Sequence, residues 1–167
     1  MKKIKAIFIV GPTASGKTGL SIELAKKFSG EIISADSMQV YKGIHIASAA
    51  PDTEEKQGIP HYMLEFLEKD VQFSVADYVK SARKLIFEIS EKGKLPIIVG
   101  GTGLYISSLL DNTEYTEEET DLKLRQKLET EFDTLGAEEM LRKLSAFDPC
   151  SAERLHPNNR RRIIRAF

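Results

Sequence analysis

The sequence predicts an α/β fold, a parallel sheet flanked by helices with a helical lobe attached, on three observations. Short apolar runs at residues 7–10, 31–35 and 96–99 alternate with stretches of helical periodicity. Glycine-rich turns follow the first and third of these runs, where strands of a doubly wound sheet turn into helices. No strand signal follows Val99, and charged amphipathic stretches occupy the rest of the chain.

The first strand is Ile7-Phe8-Ile9-Val10, apolar and mostly β-branched. It runs into Gly11-Pro12-Thr13-Ala14-Ser15-Gly16-Lys17-Thr18, which fits the phosphate-binding pattern of a glycine, four residues and Gly-Lys-Ser/Thr. Leu20, Leu24 and Ala25 then repeat at helical spacing up to Phe28, with Gly30 as a stop. Strand, loop and helix start together aim backbone N–H groups and the positive end of the helix dipole at an anion. Lys17 would reach the outer phosphates, and the Thr18 hydroxyl would hold Mg²⁺. The expected fold is therefore P-loop NTPase-like, in the manner of nucleotide kinases. The loop alone implies phosphate or diphosphate; it does not say which, or whether a phosphoryl group moves.

Glu31–Ala35 reads as the second strand, with Asp36-Ser37 at its end. Residues 37–60 read as a long loop with one short helix at Thr53–Lys56; loops of this length are commonly functional. Ser74 and Asp77 form a capping pair for a helix whose stripe is Val75, Val79, Ala82, Ile86 and Ile89, ended by Gly93. Pro96–Val99 is a continuous apolar run, the mark of a central parallel strand. Gly100-Gly101-Thr102-Gly103 then leads into a helix through Leu110. An acidic hinge follows (Glu114, Glu117–Glu119, Asp121). Helices are expected at Leu122–Phe132, Ala137–Leu144, from Asp148-Pro149, and over the basic segment Asn158–Phe167. The predicted organisation is an α/β core over 1–112 and a helical lobe over 113–167.

At 167 residues the chain can bury a core, and 41% hydrophobic with 29% charged residues suits a globular protein. A formal charge of −1 argues against a wholesale basic nucleic-acid binder but leaves room for a local basic patch. Cys150 is the lone cysteine, which excludes an internal disulfide and suits a reducing compartment; it reads as a small structural residue. The apolar run after Lys5 spans five residues and ends in the glycine loop, so no secretory signal is expected. Nothing approaches the roughly 20 apolar residues of a membrane span. A cytoplasmic monomer without a membrane is the expectation.

In open α/β sheets, ligands gather outside the carboxyl ends of the strands. That rule brings together the glycine loop, Asp36 and Thr102. Pro96–Val99 ends without the acid that an ordinary P-loop ATPase uses to organise Mg²⁺. A small kinase remains open, with Asp36 on the acceptor. Asp36 could take a proton from a nucleophile, or merely cap a turn. Thr102 could donate to a leaving-group oxygen, or merely cap the following helix. His61 in Gly58-Ile59-Pro60-His61 could line the site, whereas His45 and His156 read as structural. No spacing suggests zinc. Arg160, Arg161, Arg162 and Arg165 suit phosphate-backbone contacts, against the blander reading of a solvated helix.

Together, GPTASGKT at Gly11–Thr18, DSMQVY at Asp36–Tyr41, GIPH at Gly58–His61, GGTGLY at Gly100–Tyr105 and His156-Pro157-Asn158 leading into Arg162–Ala166 resemble tRNA dimethylallyltransferases. The resemblance runs over essentially the whole chain and implies transfer of a dimethylallyl group from dimethylallyl diphosphate to N6 of the adenosine 3′ of the anticodon. It implies that Thr13–Thr18 hold the diphosphate, neutralised by Lys17 and by Mg²⁺ on Thr18. Asp36 would take the amine proton and Thr102 would hydrogen-bond the oxygen at which the C–O bond breaks. Ser37, Met38 and Gln39 would face the target base of a tRNA anticodon stem-loop. Asn158, Arg161, Arg162 and Arg165, with Arg125, would touch the tRNA.

This sequence departs from the family pattern at Ala47-Ser48-Ala49-Ala50-Pro51, where Ala50 stands in place of a lysine. The family is also roughly twice this long. The resemblance is thus to an N-terminal portion, lacking a later strand and another arginine near the diphosphate. Such a portion is expected to keep diphosphate binding with weak or no tRNA modification. Three other readings remain: a small-molecule P-loop kinase, adenylate isopentenyltransferase, and a non-enzymatic nucleotide- or RNA-binding module. DSMQVY with GGTGLY favours prenyl transfer over the kinase, and the arginine segment favours tRNA over free nucleotide.

Overall fold

The computed structural model describes residues 4–44, 49–113, 115 and 121–167. His45, Ala47, Ser48 and most of the acidic hinge (Glu114, Glu117–Glu119) lie outside the described residues. The chain divides into two compact units, Met1–Tyr115 and Thr116–Phe167.

The first unit is built on four parallel strands: β1 (Ile7–Val10), β2 (Gly30–Ser34), β3 (His61–Tyr62) and β4 (Leu95–Gly100), in the order β1-β4-β2-β3. The expected central strand is indeed central, and the expected P-loop fold is the one observed. Ile97 and Ile98 on β4 face opposite ways, as pleating requires. One face packs Ile32 and Ile97 against Ile22 and Ala25 of α1 (Lys17–Phe28). The other packs Ile33 and Ile98 against Val79, Ala82 and Ile89 of α2 (Val75–Glu91) and Tyr105 and Ile106 of α3 (Gly103–Leu110). Helix α2 starts at the expected capping box: Asp77 N–H donates to Ser74 Oγ at 3.2 Å, and Ser74 N–H donates to Asp77 Oδ2 at 2.9 Å.

Two expectations for the long loop are corrected. Thr53–Lys56 forms hydrogen-bonded turns rather than a helix, and the chain reverses at Gly58 with φ +76°. His61, expected in the long loop, instead forms β3 with Tyr62 beside Ile32 and Ile33. Tyr62 extends the sheet's amino end into a polar cluster. Its hydroxyl donates to the buried Glu31 carboxylate at 2.8 Å, which also receives Lys92 Nζ at 3.3 Å.

The second unit holds α4 (Leu122–Leu135), α5 (Ala137–Ser145), α6 (Pro149–Arg154) and α7 (Arg160–Ala166). Leu128, Met140, Ile163 and Ile164 form its core. Asp121 and Asp148 cap α4 and α6 through backbone N–H groups of Leu124 and Ser151 at 3.0 Å each. Cys150, expected to be structural, is exposed on α6. No described helix is long and apolar enough to cross a membrane.

Candidate functional site

The site forms where β1, β4 and β2 release their chains. Two glycines at the end of β4 allow the close approach. A Cβ on Gly100 would lie 2.1 Å from the Ala35 carbonyl oxygen, and one on Gly101 would lie 3.3 Å from that of Gly11. Only backbone fits between the loop after β1 and the turn after β2. Ala35 N–H donates to the Val99 carbonyl at 2.7 Å, and Thr102 N–H donates back to Ala35 O at 3.1 Å.

The glycine loop over residues 11–16 ends at the N-terminus of α1. Gly16 adopts φ +78° there, and Ala14 takes φ +63°, a conformation uncommon outside glycine. Lys17 folds back over its own loop, with Nζ 2.5 Å from the Pro12 carbonyl and 3.5 Å from Ser15 Oγ. The ammonium is thus held over the loop on an accepting carbonyl. Ser21 Oγ donates to Thr18 O at 2.7 Å, pinning the first turn of α1.

Asp36 follows β2 directly. Its Oδ1 accepts from the backbone N–H groups of Met38 at 2.8 Å and Gln39 at 3.4 Å, so the turn-capping role weighed from sequence is realised on that oxygen. Among the described residues, Oδ2 has no hydrogen-bond partner and stays available. Thr102 is the N-cap residue of α3, yet its side chain makes no cap bond. Its Oγ1 instead accepts from Ser37 N–H at 3.0 Å. Glycine loop, Asp36 and Thr102, joined only by rule in the sequence, are brought to neighbouring strand ends.

Ser37 and Met38 are exposed, Met38 at 56%. Gln39 turns inward: its Oε1 accepts from Ser34 Oγ at 2.8 Å and its Nε2 donates to the Ala49 carbonyl at 3.3 Å. Behind the loop lies a cavity of about 30 Å³ lined by Thr18, Ser21, Ser34, Gln39 and His61, with Ile32, Pro51, Leu64 and Val99. Sequence proposed His61 as a lining residue; it lines this cavity. Tyr105 stacks on Tyr78 with centroids 3.9 Å apart. Burial pushes the Tyr105 phenol up, helped by Tyr41 and the Asp36 carboxylate.

No described trio of His, Cys, Asp or Glu could cage a metal. The Thr18 hydroxyl, with no hydrogen-bond partner among the described residues, fits a Mg²⁺ ion that keeps waters and takes its other ligands from phosphates.

In the second unit the cationic residues divide. Arg125 is paired with Glu129 at 3.2 Å, and Arg160 is held by Asp133 and lies over the Phe132 ring. Arg161, Arg162 and Arg165 are exposed on α7 with no acidic partner among the described residues. Arg162 and Arg165 line a groove with Arg154 and Ser151. Asn158 is exposed in the turn before α7, its N–H donating to His156 Nδ1 at 3.1 Å.

The family model for IPP transferase matches residues 39–167. A tRNA dimethylallyltransferase of Heliobacterium modesticaldum is 53% identical over 161 residues, which is 96% of this chain and 50% of that protein. One from Bacillus mycoides is 51% identical over 167 residues, covering 100% of this chain and 53% of its own. Among solved structures, the full-length tRNA isopentenylpyrophosphate transferase of Bacillus halodurans matches with TM-score 0.68 at 45% identity, over 98% of this chain and 54% of that one. A eukaryotic dimethylallyltransferase acting on tRNA matches with TM-score 0.84 at 33% identity, over 98% of this chain and 40% of that one. The chain spans about half the length of the curated relatives it matches. A family match across residues 39–167, with half-identical relatives along the whole chain, gives one conclusion: the chain belongs to the IPP transferase family.

Proposed function

We propose that this chain carries the diphosphate-binding and proton-accepting half of a tRNA dimethylallyltransferase, transferring a dimethylallyl group from its diphosphate to N6 of the adenosine 3′ of the anticodon. The observation that carries the reading is the junction of glycine loop, Asp36 and Thr102 at adjacent strand ends, held by Gly100 and Gly101. Loop N–H groups from Thr13 to Thr18, the α1 N-terminus and Lys17 would take the diphosphate. Lys17 must leave the Pro12 carbonyl to do so. Mg²⁺ held by Thr18 would supply charge neutralisation that makes diphosphate a competent leaving group.

The amine lone pair forms the new C–N bond while the allylic C–O pair leaves with the diphosphate. Asp36 Oδ2 accepts the amine proton, its partner oxygen being fixed by the turn. Thr102 donates to the departing oxygen by turning its hydroxyl hydrogen away from Ser37 Oγ, 3.4 Å distant. Exposed Met38 and Ser37 are suited to meet the base, which leaves a single-stranded loop at low cost. Gln39 supports that turn from behind. Asn158, Arg161, Arg162 and Arg165 would contact the tRNA backbone. Arg125 would have to exchange Glu129 for phosphate. We place the protein in the cytoplasm as a monomer.

Calorimetry with dimethylallyl diphosphate and with ATP, each with Mg²⁺, on the chain and on Lys17→Ala tests this. Binding of the isoprenoid diphosphate that weakens roughly 10- to 100-fold in the variant supports the reading. Preference for ATP overturns it in favour of a P-loop kinase.

A further inference from the structure

His61 is a half-buried polar side chain that the reaction above does not use. It opens β3 opposite Ile32, directly after Pro60, whose carbonyl accepts Ile32 N–H at 2.9 Å. Its Nδ1 lies 2.8 Å from the Ile59 carbonyl, an acceptor only, so Nδ1 carries the proton and donates. That bond leaves Nε2 as a bare acceptor. Nε2 is fully buried and has no hydrogen-bond partner among the described residues. Burial and the nearby Lys56 charge keep the ring neutral by lowering its pKa, against the opposing Ile59 bond.

The ring lines the cavity of about 30 Å³ behind the glycine loop, large enough for one water molecule. The cavity also has the polar lining that a buried water needs. Two of its hydroxyls are already committed as donors, Ser21 to Thr18 O and Ser34 to Gln39 Oε1. The Thr18 hydroxyl is not. A water here can donate to His61 Nε2 and accept the Thr18 proton. A hydroxyl that gives its proton to a water behind it presents its lone pairs forward.

We propose that this cavity is a one-water site, and that His61, through that water, is a positioning residue for the Thr18 hydroxyl of the phosphate loop. The positioning role rests on reading the loop as a diphosphate site; the water site does not.

Two arms test it. In the free chain, ¹⁵N imidazole shifts should report the Nδ1–H tautomer, and a water cross-peak to the His61 ring should persist. The opposite tautomer, or a ring without a water contact, overturns the site. In the second arm, Mg²⁺ with inorganic pyrophosphate is titrated into His61→Gln, whose amide oxygen can replace Nε2 as acceptor, and into His61→Phe. Thermal melts confirm that both fold. We expect His61→Gln within about twofold of the parent and His61→Phe weaker by roughly tenfold. Equal affinities for the two variants overturn the positioning role. If the parent binds no pyrophosphate, the diphosphate reading and the positioning role both fall, while the first arm still decides the water site.

Discussion

The backbone N–H of Ser37 donates to the Thr102 hydroxyl at 3.0 Å across 65 residues of sequence. Together with the Thr102 N–H bond to Ala35 O, it clasps the turn after β2 to the start of α3. Thr102 thus serves structure in the free chain, with the same oxygen that the proposed chemistry uses. Thr102→Val keeps the shape and loses the clasp; it should destabilise the chain by about 0.5–1.5 kcal/mol in urea unfolding. Thr102→Ser should recover most of that.

Gly100 makes the clasp possible. With a Cβ 2.1 Å from Ala35 O and 2.4 Å from its carbonyl carbon, Gly100→Ala meets backbone that cannot rotate aside. Either β2 separates from β4 or the strand end shifts. The expected cost is at least about 3 kcal/mol, measured by denaturant unfolding or seen as loss of folded protein. Gly103→Ala, three residues on with nothing within 4 Å of the added Cβ, is the control and should change stability by less than about 1 kcal/mol.

These two residues also show how far sequence reaches. The glycine loop, the Ser74–Asp77 box and the central strand were legible because their signals lie within a few adjacent residues. The partner of Thr102 was not, because it comes from a turn on another strand. β3 was invisible for a related reason. Two residues carry no period, and His61 and Tyr62 become strand only by pairing with Ile32 and Ile33. Gln39 is the same lesson in a side chain: its motif suggests a group facing substrate, while Ser34 and the Ala49 carbonyl hold it inward. Asp36 was read both ways, and the turn-capping reading is the one realised, on Oδ1.

A pH dependence follows from His61. Burial lowers its folded-state pKa below the ordinary 6.5. Between that lowered value and 6.5 the unfolded chain binds more protons than the folded one, so stability rises with pH across this window. Above 6.5 the contribution is flat; as pH falls below 6.5 stability is lost. Asp77, whose pKa its bonds with Ser74 lower from 3.8, acts in a separate and more acidic window. Melting curves from pH 7.5 to 5 should therefore show a decline that is shallower in His61→Phe. An unchanged slope in that variant would contradict the assignment.

Tyr78 offers a gain instead of a loss. It is 0% exposed, stacked on Tyr105, and its hydroxyl has no hydrogen-bond partner among the described residues. Burial, with a smaller contribution from Tyr105, pushes its pKa far above 10, so it is neutral at any working pH. The hydroxyl carries a desolvation cost with no bond to offset it. Tyr78→Phe keeps the ring, the stack and the packing while removing that cost. It should stabilise the chain by about 1 kcal/mol, raising Tm by roughly 2–4 °C. Tyr105→Phe lacks this rationale, since its hydroxyl is not among the fully buried orphan atoms. A drop in Tm for Tyr78→Phe would mean that the hydroxyl has a partner, such as a bound water, and would assign that partner a stabilising role.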